Sequence, residues 1–316
     1  MKHLEEEYRP LIESLLGEGF EKDLLEAAFI NLNTPNALRF NNFAYAMREL
    51  LRHVLHRLAP KEALEACNWF KPDDTSRNGI TRKHRIKYAI QGGLSDYMMK
   101  SKLSIDYVDE VIQELVKQIN DMSKFTHIEH DTFDIPEDEV ERLARECLAA
   151  TTDFISTMHD THREVCDHLG EAIDMALLKR IFEESVEEIM ELSTHQHIDD
   201  IYHESVNVEE IGSKSLTLEV SGQLECELQY GSSSDMRRGD GVTISESFPF
   251  KSNLTVFFEA PLGSVTELNS FNVDNREWYG IDDDLEPVED DFEIELAKVS
   301  ITEGSTKTES KDDLEF

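Results

Sequence analysis

The sequence predicts an α+β protein, with an all-helical N-terminal bundle followed by a small antiparallel β domain. Apolar residues recur at helical spacing from Leu4 to about Leu192, broken by glycine, proline and polar runs. After Tyr202 the texture changes to strict alternation, Leu216, Leu218, Val220 and then Leu224, Cys226, Leu228, Tyr230. A length of 316 residues also suits two domains of roughly 150 each. The expected division is a helical domain over 1–203, a β-rich regulatory or docking domain over 204–303, and an acidic disordered tail over 304–316.

Leu4, Tyr8, Leu11 and Leu15 share one helix face, and Leu24, Ala27 and Ala28 another, with Gly17 and Gly19 between them. NLNTPN, with Pro35, ends the second helix. A long helix is expected from Ala37 to Leu58, stopping before Pro60. KPDDTSRNGI (71–80) reads as a polar loop. Thr81 caps a helix running to about Ala89, with Gly92-Gly93 as its break. Ser104 is expected to cap a helix over Ile105–Met122. A loop follows to Pro136, a residue tolerated at a helix start. From Glu137 the pattern persists to about Leu192, with Gly170 expected to divide it in two. In the β region Ser221-Gly222 reads as a turn between two strands. VTISESFPF, NLTVFFEA and FEIELAKVSI read as further strands.

The charge excludes more than it suggests. Lys and Arg number 31 against 67 Asp and Glu, giving −36 at neutral pH. Such a field repels phosphate, so bulk attraction to nucleic acid or an anionic membrane is not expected. Residues 281–316 hold fourteen acids and three bases. Two stretches run the other way. Residues 36–58 carry Arg39, Arg48, Arg52 and Arg57 against Glu49 alone, and residues 77–87 carry Arg77, Arg82, Lys83, Arg85 and Lys87 with no acid. Four dispersed cysteines without a CxxC pair form neither a disulfide framework nor a zinc ribbon. No stretch approaches 18 apolar residues and MKHLEEEYRP has no apolar core, so neither a membrane span nor a secretory signal is expected. A cytoplasmic, reducing location is the resulting expectation.

The densest chemistry lies in NNFAYAMRELLRHVLHRLAP. Arg48, Arg52 and His56 follow one another at i, i+4 and i+8 and share a face. His53 is turned about 140° from Arg48 on the same helix. An imidazole transfers protons near neutral pH, and a guanidinium clamps a phosphate and stabilises charge developing on it. Together they suffice for metal-free RNA cleavage by the 2′-hydroxyl; a plain solvated helix face accounts for the same residues. Phe43, Met47, Leu50 and Leu51 are more apolar residues than one core face needs, which leaves some for contact with a second copy.

In TRKHRIKYAIQGG, Arg82, Lys83, Arg85 and Lys87 place dense charge at a helix start, suited to RNA or to internal acids, and Tyr88 is available to stack on a base. His159, His162 and Cys166 are ligand types at i, i+3, i+7 but want a fourth partner, so no metal site and no cofactor is expected. Thr194 to His203, with His195, His197 and Tyr202, reads as a polar hinge. Gln229 to Gly241 reads as a long hairpin loop tipped by Arg237 and Arg238, without the spacing of a P-loop.

Arg48-Glu-Leu-Leu-Arg-His53 resembles the Arg-x4-6-His signature of the HEPN superfamily of helical ribonucleases and nucleotide-binding proteins. The longer strings RFNNFAYAMRELLRHVLHRLAP, TRKHRIKYAIQGGL and VSGQLECELQYGSSSDMRRGDG, with ESFPF, are similar to bacterial conflict-system proteins described as predicted pPIWI-associating nucleases, over most of residues 36–260. The resemblance implies a HEPN-like bundle acting as a metal-independent endoribonuclease in phage defence, on tRNA or another RNA. It implies a homodimer, a toxin-like activity and a defence-system partner on the β domain. It would make Arg48 and His53 catalytic and Arg52, His56, Glu49 and Asn42 auxiliary, with Arg82, Lys83, Arg85 and Lys87 binding RNA. Glu49 departs from the small polar residue often found there, and either orients His53 or repels RNA. The rival expectations are a non-catalytic nucleotide- or partner-binding regulator and an acidic mimic of nucleic acid.

Overall fold

The computed structural model describes residues 1–193, 195–259 and 261–280. Met1–Asn275 form one compact unit and Arg276–Phe316 a second, within which Glu277–Tyr279 make a short 3-10 turn. The acidic 304–316 segment and the expected strand FEIELAKVSI lie outside the described residues.

The fold is α+β, as the two periodicities predict. The helices are α1 (Lys2–Glu13), α2 (Phe20–Asn33), α3 (Arg39–Leu58), α4 (Lys61–Glu65), α5 (Arg82–Gln91), α6 (Asp96–Ser101), α7 (Val108–Phe125), α8 (Glu137–Glu183) and α9 (Glu187–Met190). The sheet follows, β1 (His195–Ile211), β2 (Ser215–Tyr230), β3 (Val242–Phe257) and β4 (Thr266–Val273), with a short helix α10 (Ser233–Arg238) in the β2–β3 connection. All neighbours pair antiparallel in the order β1-β2-β3-β4. No helix among the described residues is long and apolar enough to cross a membrane.

α3 is central to the helical layer. Phe43, Met47, Leu50, Leu51 and Val54 recur at three- and four-residue steps and are buried against the chain's own core. α3 packs on α2, α5, α7 and α8. This corrects the expectation that some of those apolar residues are spare for a second copy: Phe43, Met47, Leu50 and Leu51 all point inward.

α8 joins the two layers, since it packs on α1, α5 and α7 and also on β1 and β4. At 1.5 Å per residue its 47 residues span about 70 Å. It is not divided at Gly170. Buried Val165, Leu169, Ile173 and Leu177 continue one stripe through the glycine, and their burial outweighs its cost of about 1 kcal/mol. Nothing lies within 4 Å of a methyl group built at Gly170. Gly170→Ala is therefore expected to raise the unfolding free energy by about 0.5–1 kcal/mol in urea titration, chiefly by restricting the unfolded chain.

Four other expectations are corrected. Ser104 has a positive φ of 56° and precedes the helix without capping it; α7 begins at Val108, after Tyr107. Ser221-Gly222 is no turn, because β2 runs straight through it. A Cβ at Gly222 would strike the Tyr202 carbonyl, so the glycine serves the close approach of β1. VTISESFPF and the start of NLTVFFEA lie on the single strand β3, which ends at Phe257. The histidine-rich stretch from His195 is part of β1, not a hinge.

Candidate phosphate-binding cleft

α3 and α5 meet at an angle of the fold where both turn their cationic faces toward each other. α5 starts sharply because Thr81 and His84 cap it reciprocally. The Thr81 hydroxyl accepts from the His84 N–H at 3.3 Å, and His84 Nδ1 accepts from the Thr81 N–H at 3.2 Å. That start places Arg82 and Arg85 one turn apart. They line a cleft of about 290 Å3 together with Arg48, Glu49, Arg52 and His56 of α3. Leu55, Ile80 and Ile119 supply its apolar wall.

Charge in the cleft is unbalanced, with four arginines facing one carboxylate. Glu49 binds two of them, accepting from Arg48 Nη2 at 2.9 Å and from Arg52 Nε at 2.8 Å. Burial pushes the Glu49 carboxyl up, but Arg52 and Arg48 outweigh it and hold it below the ordinary value. Arg82 donates to the neutral Asn120 side chain at 2.8 Å. Arg85 is only 8% exposed, and its guanidinium donates to the Ala59 carbonyl at the end of α3. It pairs with no carboxylate among the described residues, and burial pushes its pKa down. A buried cation without a counter-charge is costly, and an entering anion would supply one. The buried Arg48 Nε is likewise without a partner.

The arrangement brings together Arg48, Glu49, Arg52, His56, Arg82 and Arg85 from two segments of sequence. It leaves out the rest of the candidates. His53 does not line the cleft; its ring stands edge-on to Phe20 at 4.9 Å, and its Nε2 lies 2.9 Å from Arg52 Nη2. Asn42 is exposed further up α3. Lys83 is exposed, and Lys87 pairs with Asp96 at 2.6 Å while lying over the Trp69 ring. Tyr88 is buried with Ala59, Leu64, Cys67 and Ile80, which corrects the expectation that it stacks on a base. Asn78 and Asn120 went unmarked in the sequence. Both are neutral residues brought to the cationic face only by tertiary packing, so no local pattern announces them.

The other constellations resolve into structural contacts. Cys166 Sγ approaches the Val206 carbonyl at 3.6 Å, and His203 Nδ1 pairs with Asp174 at 2.7 Å. Among the described residues no group of three His, Cys, Asp or Glu is placed to hold a metal. In the Gln229–Gly241 connection, Ser232 caps α10 and Arg238 folds back on Asp235 at 2.5 Å.

A helical layer with a cationic cleft, followed by an antiparallel sheet, makes this an α+β protein with an anion-binding face. Two family models, each described as a predicted pPIWI-associating nuclease, match the chain over residues 13–151 and 158–279. The first match holds α3, α5 and the whole cleft, and the second holds the C-terminal part of α8 and the sheet. Along both stretches the chain is similar to this family of predicted nucleases. No curated protein and no solved structure gives a match.

Proposed function

We propose that the protein is a metal-independent endoribonuclease of the HEPN type, acting in a bacterial antiviral defence system. The observation that carries this reading is the buried, uncompensated Arg85 beside Arg48, Arg52 and Arg82. In a chain of net charge −36, such a cluster calls for a phosphate. Arg48 would stabilise charge on the scissile phosphate, and His53 of the Arg-x4-His spacing would move a proton. Within one chain Arg48 and His53 do not share the cleft, so the motif would act across a homodimer. With Phe43, Met47, Leu50 and Leu51 buried, that contact would run through Phe20 and Tyr45, exposed by 57% and 56%. The sheet would be a regulatory or docking module for another defence protein, with the chemistry confined to the helices.

The test is incubation of the intact protein with total tRNA in EDTA, beside Arg48→Ala and His53→Ala. The parent is expected to cleave and each variant to lose about 100-fold in rate. Glu49 favours a second reading, because it already occupies Arg48 and Arg52: the cleft would bind a nucleotide without cleaving it. A parent that binds nucleotide but leaves tRNA intact in any metal condition decides for that reading. Sedimentation at micromolar concentration tests the dimer; a monomer that cleaves at full rate excludes the composite site.

A further inference from the structure

We propose that His56 is a second proton-transfer residue of this site, taking the proton from the attacking 2′-hydroxyl. This rests on the ribonuclease reading and assigns a catalytic group that the Arg-x4-His spacing does not contain. Of the two histidines at this end of α3, only His56 lines the cleft with the arginines. His53 is held differently. An arginine only donates, so Arg52 Nη2 at 2.9 Å makes His53 Nε2 the acceptor. In a single chain that lone pair is engaged and His53 serves to position Arg52. His56 makes no hydrogen bond to a side chain or backbone through its ring among the described residues, and it is exposed while lining the cleft beside Arg52 and Arg85.

The surroundings also suit a base. The charged and titratable groups near His56 are Arg48, Glu49, Arg52 and His53 of its own helix and Arg82 and Arg85 of α5; from α7 come only the uncharged Ile119 and Asn120. Partial burial, then the charges of Arg85 and Arg52, push the His56 imidazole below its ordinary value. It is therefore neutral at pH 7 and ready to accept a proton. In the step, an imidazole nitrogen takes the 2′-hydroxyl proton as the O2′–P bond forms. The P–O5′ bond breaks, and the departing 5′-oxygen takes a proton that His53 of the second copy relays from water. The products are a 2′,3′-cyclic phosphate and a 5′-hydroxyl, and imidazolium returns its proton to the hydroxide left behind. The adjacent arginines stabilise charge gathering on the phosphoryl oxygens.

The experiment follows cleavage of a fluorescent single-stranded oligoribonucleotide between pH 5 and 8 by the full chain, His56→Ala and Arg48→Ala. Parent activity is expected to fall as the pH drops through a midpoint below 6.5, because protonation removes the base. His56→Ala is expected to lose about 100-fold in kcat with KM unchanged, to lose the acid limb, and to regain rate when imidazole is added. Circular dichroism melting alongside checks that the exposed substitution leaves the fold intact. An active His56→Ala that keeps the parent's rate and acid limb overturns this proposal and leaves the ribonuclease reading standing. A parent that cleaves no RNA overturns both.

Discussion

Arg85→Met is expected to abolish phosphate binding and reduce RNA cleavage by at least about 100-fold, while leaving the unfolding free energy within about 1 kcal/mol of the parent. The two effects have one cause. Arg85 is 8% exposed and has no carboxylate partner among the described residues, so in the free protein it is a desolvated charge stabilised by one carbonyl. Methionine fills a similar volume without the charge. Its burial offsets the lost hydrogen bond to Ala59, whose unsatisfied carbonyl costs about 1–3 kcal/mol. Binding has no such offset, because the deepest cation of the cleft is gone. The measurement is urea unfolding beside calorimetric titration with inorganic phosphate. A variant destabilised by more than about 2 kcal/mol with phosphate binding retained would make Arg85 a structural residue. In that case the remaining arginines, Arg48, Arg52 and Arg82, would hold the phosphate, and the buried Arg85 would carry neither reading.

The same cleft shows how far local sequence reaches. Arg48, Arg52 and His56 are legible as one face because helical spacing alone aligns them. Thr81 is legible as a cap because its hydroxyl and the following turn are adjacent in sequence. That the α3 face and the α5 start meet is not legible, since it depends on how both helices pack on α7 and α8. Arg82 and Arg85 stood in the sequence beside Lys83 and Lys87 with no mark to separate them. Tertiary contacts do the separating: Arg85 is buried at Ala59, Arg82 reaches Asn120, Lys87 pairs with Asp96 and Lys83 is left to solvent.

The strands divide in the same way. β2 is legible because it is regular, with every second residue from Leu216 to Leu228 buried. β1 is not, because its register shifts between Ile198 and Asp200, between His203 and Ser205, and between Val208 and Glu210. Each shift resets the alternation, so HQHIDDIYHESVNVEEI has no period of two to read. β4 is short, polar and at the edge, with only Val273 buried. Glycine misleads twice for opposite reasons. Gly170 sits in a helix that long-range burial sustains, and Gly222 sits in a strand because another backbone passes close to it. Neither cause lies within a few residues of the glycine.

Gly93→Ala is expected to destabilise the protein by about 3 kcal/mol or more, the reverse of Gly170→Ala. The α5 helix ends at Gly92-Gly93, against the tight turn between β1 and β2. The Gly93 N–H donates to the Gly212 carbonyl at 2.8 Å, and a Cβ on Gly93 would coincide with the Ser213 carbonyl group. The turn has little room to withdraw. Ser213 donates its hydroxyl to the Ala63 carbonyl at 2.7 Å, and Trp69 Nε1 donates to the Gly92 carbonyl at 2.8 Å. The backbone of the sheet is thus seated between α4 and α5, the helix that carries Arg82 and Arg85. A methyl group at Gly93 must either push the β1–β2 turn off this seat or tilt α5. In the first case the sheet loosens from a cleft that still binds phosphate; in the second, phosphate binding falls with stability. Urea unfolding beside phosphate titration separates the two, and an alanine variant that unfolds at the parent's urea concentration would show that this seat does not hold sheet and helices together.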